Sequence, residues 1–235
     1  MYHSITFGTK NTYDDWKLVP TSRPVFSAPE PITQYVEIPG GNGSIDLSDT
    51  LTGGIHYKNR TGSFEFLVLN EYNGYDAMHL YSEIMEYLHG KKMYAILEDD
   101  PGYYYVGRFD ISWSPEKDWS KINIGYNVLP YKYEIYGTME DWHWNPFNFE
   151  NGVIQNFNHI DISGIQVITV AGFGRPVVPT IHLHSGTMAV TFNGVTKSLS
   201  IGENKFMEFK MGAGDNLFRF TGTGVISIDY RGARL

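Results

Sequence analysis

Apolar residues at Ala77, Leu80, Tyr81, Ile84, Tyr87 and Leu88 recur at the three- and four-residue spacing that lines one face of a helix. Asp76 or Asn73 can cap the start. Gly90 suits the left-handed position after the last turn, and Lys91 and Lys92 lie where the dipole favours cations. Elsewhere the pattern has the two-residue period of strands. In the first half these are predicted at 35–38, 64–69 and 93–97, with extended Pro-bounded runs at 17–20 and 23–31 ahead of them and a Gly40-Gly41-Asn42-Gly43 turn and an Asp100-Pro101-Gly102 turn. Two longer strands, 103–113 and 121–133, flank a polar linker at 114–120. An eleven-residue strand reaches about 36 Å, so this hairpin is expected to project.

Short alternating segments fill the second half, at 165–170, 180–183, 189–192, 197–201, 206–210, 217–220 and 225–230. Turn signals separate them: Asn193-Gly194, Gly202-Glu203-Asn204, the run from Gly212 to Asn216, and Gly222-Thr223-Gly224. That is the pattern of a β-sandwich. The fold class is mainly β, with one helix.

Charge divides the chain at nearly the same place as fold pattern. Residues 1–140 hold 11 Lys+Arg against 19 Asp+Glu, whereas residues 141–235 hold 7 of each. All five Trp, and all Tyr but Tyr230, lie at or before Trp144. A two-domain chain is expected, 1–140 and 141–235. Its acidic balance, with no basic run, disfavours specific binding to nucleic acid or anionic membranes. Zero cysteines exclude disulfides, thiolate catalysis and Cys-ligated zinc. MYHSITFGTKN lacks a basic n-region and an apolar core, and no apolar run is long enough for a membrane span, so a soluble chain made in a cytosol is expected, without membrane insertion.

The stretch from Asp14 to Leu69 carries the most specific signal. Its "DWKLVP" start, Pro-Glu-Pro before "YVEIPG", "GSIDLSDTLTG", and "Y-x-NR" ahead of an alternating apolar strand resemble the N-terminal domain of siphophage distal tail proteins. The closing "NLFRFTGTGVISIDYRG" resembles the end of galectin-like phage-tail sandwiches. The resemblance implies a structural virion protein at the phage tail tip, a baseplate hub whose N-terminal domains form a hexameric ring around the DNA channel. Its implied partners are further copies of itself, the tail tube protein, a tail-tip or tail-associated protein, and receptor-binding proteins. An extended β-arm would embrace the neighbouring subunit.

Clusters that could carry chemistry read more simply as structure. Glu98-Asp99-Asp100 alternates its side chains along a strand end and does not converge as catalytic carboxylates must, so a solvated turn is expected. His182 and His184 share one strand face, a metal half-site without an assignable third ligand. Gly40 to Asp46 is a single copy of a calcium-repeat-like run, with its Asp one position late. Asn59-Arg60-Thr61 is a formal glycosylation sequon, and the loop at Gly172-Phe173-Gly174-Arg175-Pro176 lacks the Lys-Ser/Thr of a phosphate cradle. No catalytic, cofactor-binding or metal-binding residue is assigned, no cofactor is expected, and the chain is read as a non-enzyme. The competing reading is a carbohydrate-binding host-adhesion module; a glycosidase using first-half carboxylates is a third. Sugar sites favour exposed aromatic platforms, which the second half, with no Trp after Trp144 and Tyr230 as its single Tyr, is poorly equipped to supply.

Overall fold

The computed structural model describes residues 2–50, 54–69, 74–115, 120–139, 156–172 and 175–235. The chain divides into two compact units, Met1–Pro130 with Leu235, and Tyr131–Arg234. The junction expected at 140/141 lies outside the described residues.

The first unit contains β1 (Ile5–Phe7), β2 (Lys10–Asn11), β3 (Leu18–Pro20), β4 (Tyr35–Glu37), β5 (Ser44–Asp46), β6 (Arg60–Val68), α1 (Gly74–Leu88), β7 (Lys92–Leu97), β8 (Tyr103–Pro115) and β9 (Ser120–Val128). Seven strands form one sheet in the order β2-β1-β7-β8-β9-β6-β3, with antiparallel pairs. α1 buries Ala77, Ile84 and Leu88 against this sheet and half-buries Leu80, Tyr81 and Tyr87, the stripe the periodicity predicts. Burying Ile84 and Leu88 contributes about 1.5–3 kcal/mol each. The helix ends as expected: Gly90 takes a φ of 71° and Lys91 Nζ donates to Glu86 O at 2.6 Å. Asn73 lies outside the described residues.

The long hairpin forms, as β8 and β9, but it stands inside the sheet and does not project. β9 pairs with β6 from Arg60↔Val128 to Leu67↔Lys121 while β8 pairs along its other side. The physical reason is its inward row: Ile122, Ile124, Tyr126 and Val128 are buried, and a free arm would expose them. Residues 116–119, in the linker, lie outside the described residues.

The second unit contains β10 (Lys132–Glu134), β11 (Ile160–Gly172), β12 (Thr180–Phe192), β13 (Val195–Leu199), β14 (Gly202–Lys205), β15 (Gly214–Asp229) and β16 (Ala233–Arg234). β11, β15, β12 and β13 are neighbours in that order, β14 pairs with the other end of β12, and β10 pairs with β16. The segments expected at 217–220 and 225–230 are one strand, β15, and those at 180–183 and 189–192 are one strand, β12. Gly222-Thr223-Gly224 is therefore a bend within a strand. It lies opposite Gly164 of β11 and Gly186 of β12, in the registers Gly164↔Gly222 and Gly186↔Gly224. Backbones approach closely there: a Cβ on Gly186 would sit 2.0 Å from Thr223 O. On either side of the bend Phe218, Phe220, Ile226 and Ile228 face one core with Ile181, Leu183, Val190 and Phe192. One curled sheet thus encloses the core expected of a two-sheet sandwich.

Two smaller expectations also change. Gly202-Glu203-Asn204 belongs to β14, while 206–210 is a turn in which Phe209 N donates to Phe206 O at 3.0 Å. Phe209 is buried in the core, so its apolar pattern reflects packing rather than strand pairing.

Candidate assembly surface

A strap between β3 and β4 anchors a solvent-exposed β-hairpin. Phe26 is buried on the sheet, with ring centroids 4.0 Å from Tyr105, 4.8 Å from Tyr126 and 5.1 Å from Phe64. Ser27 N donates to Tyr126 Oη at 2.9 Å. Arg60, itself buried, donates from Nη1 to Ser27 O at 2.9 Å and from Nε to Pro130 O at 2.8 Å, with its guanidinium 5.5 Å from the Tyr105 ring centroid. Burial lowers the Arg60 pKa from its ordinary value and raises that of the Tyr105 phenol. One cation therefore ties together the strap, the sheet and the last residue of the first unit's main run.

Beyond this anchor the chain leaves the main sheet. Pro31 and Tyr57 form a bridge at the base, Ile32 N donates to His56 O at 2.7 Å, and Lys58 pairs with Glu30 at 3.1 Å. A shallow cavity of about 370 Å³, lined by Ser27, Ala28, Glu30, Lys58, Asn59 and Thr61, opens there. β4 and β5 then pair with each other, Tyr35↔Asp46 to Glu37↔Ser44, in a separate two-stranded sheet. The Gly40–Gly43 run is the turn of this hairpin, with Gly40 and Gly43 at φ of 76° and 90°. Asp46, lowered in pKa by hydrogen bonds from Ser48, serves the turn's far side.

Every residue of β4 and β5 is exposed. Tyr35 (58%), Ile45 (50%) and Val36 (43%) stand in solvent, continued by Ile32, Ile38 and Ile55. Two-stranded ribbons are marginal on their own, and this one leaves the cross-strand apolar pair Val36 and Ile45 in solvent. The periodicity of 35–38 shows a strand; only the topology shows that, among the described residues, no core covers it.

The other clusters fall into structural roles. Asp99 is a hub rather than a solvated acid: Arg23 Nε donates to its Oδ2 at 2.8 Å and His3 Nδ1 lies 2.9 Å from both its oxygens. Glu98 accepts from Ser4 N at 2.8 Å. These partners are distant in sequence and so lie beyond any local reading. The His182 and His184 rings lie parallel with centroids 6.4 Å apart, His184 Nε2 contacts Ser227 Oγ at 2.9 Å, and among the described residues no further ligand completes a metal group. Asn59 Nδ2 donates to Asn127 Oδ1 at 2.8 Å. Phe173 and Gly174 lie outside the described residues; Arg175 lies 5.5 Å and 5.8 Å from the ring centroids of Tyr131 and Tyr133. Because the second unit begins at Tyr131, it owns Tyr131, Tyr133 and Tyr136 besides Tyr230.

No protein-family model matches the chain, and no curated protein matches it. Among solved structures, the crystal structure of the SPP1 Dit (gp 19.1) protein, described as a paradigm of the hub adsorption apparatus in phages infecting Gram-positive bacteria, is similar over 100% of both chains, with a TM-score of 0.66 and 12% identity. The two proteins share a fold from end to end.

Proposed function

We propose that this chain is a structural hub of a phage tail tip, assembling as a hexameric ring that joins the tail tube to the host-adsorption apparatus. The full-length likeness to SPP1 Dit carries the reading, since it spans both units and not one common sandwich. The β4–β5 hairpin supports it physically. A closed ring needs a heterologous contact, in which one surface of each protomer meets a different surface of the next. An anchored ribbon with apolar residues on view suits that contact, so the embracing arm is assigned to β4–β5 rather than to β8–β9. Several first-half aromatics, Trp16, Phe7, Phe66 and Phe109 among them, are buried in the core of the first unit.

The ring's faces would dock on the tail tube and on the tail-tip protein, with receptor-binding proteins held further out. DNA would pass through the lumen without specific contacts. First-half carboxylates lining that lumen would prevent adhesion of the phosphates by like-charge repulsion. No chemical step is required of the chain. Negative-stain microscopy of virions labelled with an antibody to it tests the reading: label confined to the distal tube end supports it, and label elsewhere removes it.

A second reading, carbohydrate binding, draws support from Tyr131, Tyr133 and Arg175. Aromatic rings beside a guanidinium are a known style of sugar platform. Cell-wall pull-down with wild type and Tyr133→Ala separates the readings. Binding that the substitution abolishes favours the adhesion module, and no binding favours the hub.

A further inference from the structure

The outer edge of β11 is unlike the other sheet edges in this chain. β11 runs for thirteen residues at the end of its sheet, and no strand pairs with it on the side away from β15 among the described residues. Open edges present unpaired N–H and C=O groups, and proteins usually guard them by shortness, proline or charge. The first sheet ends in β2, of two residues, and β3, of three residues ending in Pro20. In the second, β13 has five residues and carries Lys197, and β14 has four and carries Glu203 and Lys205. β11 has none of these guards over Ile162–Gly172. Ile165 and Val167 stand on its outward face at 61% and 53% exposure, and Leu217 on adjoining β15 extends the apolar row at 58%.

We infer that β11 is a docking edge for β11 of a second copy of this chain, paired antiparallel about a two-fold axis through Gln166. The charge pattern selects this occupant. β11 carries no charge from Ile162 to Gly172, so two copies of this edge meet without like charges opposed, and a strongly charged partner finds no complement there. In the register centred on Gln166, Ile165 of one copy faces Val167 of the other. Asp161, the strand's single charge, faces Ala171, so no like charges stand opposite one another. Pairing over Ser163–Thr169 would merge the two five-stranded sheets into one continuous sheet. A two-fold contact is isologous, so it cannot be the head-to-tail contact of a ring and does not rest on the hub reading.

The absence of cysteine makes a direct test available in the full-length chain. Gln166→Cys places a thiol beside its own symmetry mate, at a cross-strand separation close to that of a disulfide. Mild oxidation is expected to give a linked dimer, whereas Thr196→Cys on β13 stays monomeric under the same treatment. Val167→Lys is expected to raise the concentration midpoint of dimerisation, measured by sedimentation, by about tenfold or more; Thr169→Lys serves if that variant does not fold. No dimer at position 166, equal linking at position 196, or association unmoved by a folded lysine variant overturns the proposal. Replacing residues 33–55 by a short linker in the Gln166→Cys chain removes the β4–β5 arm. Loss of ring assembly with the disulfide link at position 166 retained keeps this edge distinct from the ring contact.

Discussion

Arg23 and Asp99, 76 residues apart in sequence, meet through a 2.8 Å hydrogen bond from Nε to Oδ2. With His3 on the same carboxylate, the contact fastens both the N-terminal strand and the strap that leads to the β4–β5 arm. Burial pulls the Asp99 carboxyl up, and the Arg23 and His3 contacts outweigh it, leaving the group below its ordinary value.

A carboxyl depressed in the folded state stabilises the protein above its unfolded pKa, about 3.9, and ceases to do so as pH falls through its folded value. Asp99→Asn is therefore expected to cost about 1 kcal/mol at pH 7, a difference that shrinks as pH is lowered from about 4 toward 2. The effect is small because the Arg23 side chain is 65% exposed and solvent screens the pair. Chemical denaturation of both proteins across that pH range measures the difference.

Glu134 should behave in the opposite sense. Burial raises its carboxyl pKa, with Arg234 and Arg231 acting against the shift. Its contribution to stability is complete below the unfolded value, about 4.3, and is lost as pH rises through the raised folded value. Glu134→Gln should therefore become more stable relative to wild type as pH increases from about 4 to 7. Thermal melts of the two proteins read this trend, and a difference that is flat or falls with pH contradicts it.

Arg60 offers a stability test of the strap. Its replacement by Ala would leave Ser27 O and Pro130 O without their buried donor, a loss of about 2–3 kcal/mol. Lys cannot reproduce the forked geometry and should restore less than half of it. Urea titration of Arg60→Ala and Arg60→Lys measures both.

Gly186 tests the curled sheet. It has a φ of 93°, and a Cβ there would meet Thr223 O at 2.0 Å, so Gly186→Ala should destabilise the second unit by about 3 kcal/mol or more. Gly194, also at positive φ but with open space around it, should cost only about 1 kcal/mol as Ala. Calorimetry of the full chain compares the two.

Removing residues 33–55 should leave the melting of both units within about 2 °C of wild type, because no described residue of the arm is buried, while abolishing ring assembly. Thermal melting and light scattering check the two halves of this statement.

The helix at Ala77–Leu88 is legible in the sequence because its signal is local: an apolar stripe at 3.6-residue spacing, with Gly90 behind it. β4 and the Gly40–Gly43 turn are legible for the same reason. β15 is not, because Gly222 and Gly224 signal a departure from regular strand geometry without saying whether the chain reverses or bends; pairing with Gly164 and Gly186 makes it a bend. The role of Glu98-Asp99-Asp100 is equally hidden, because His3, Ser4 and Arg23 give no sign, in one dimension, of where they will lie.

Composition and short periodicities belong to the chain itself, and they suffice for a mainly β protein with one helix, an acidic first half, a neutral second half and no cysteine chemistry. Which strands have neighbours emerges only on folding. Hydrogen-bonded pairing and burial are relations between distant residues, so they set β8–β9 within a sheet, left β4–β5 exposed and, among the described residues, left β11 at the end of its sheet.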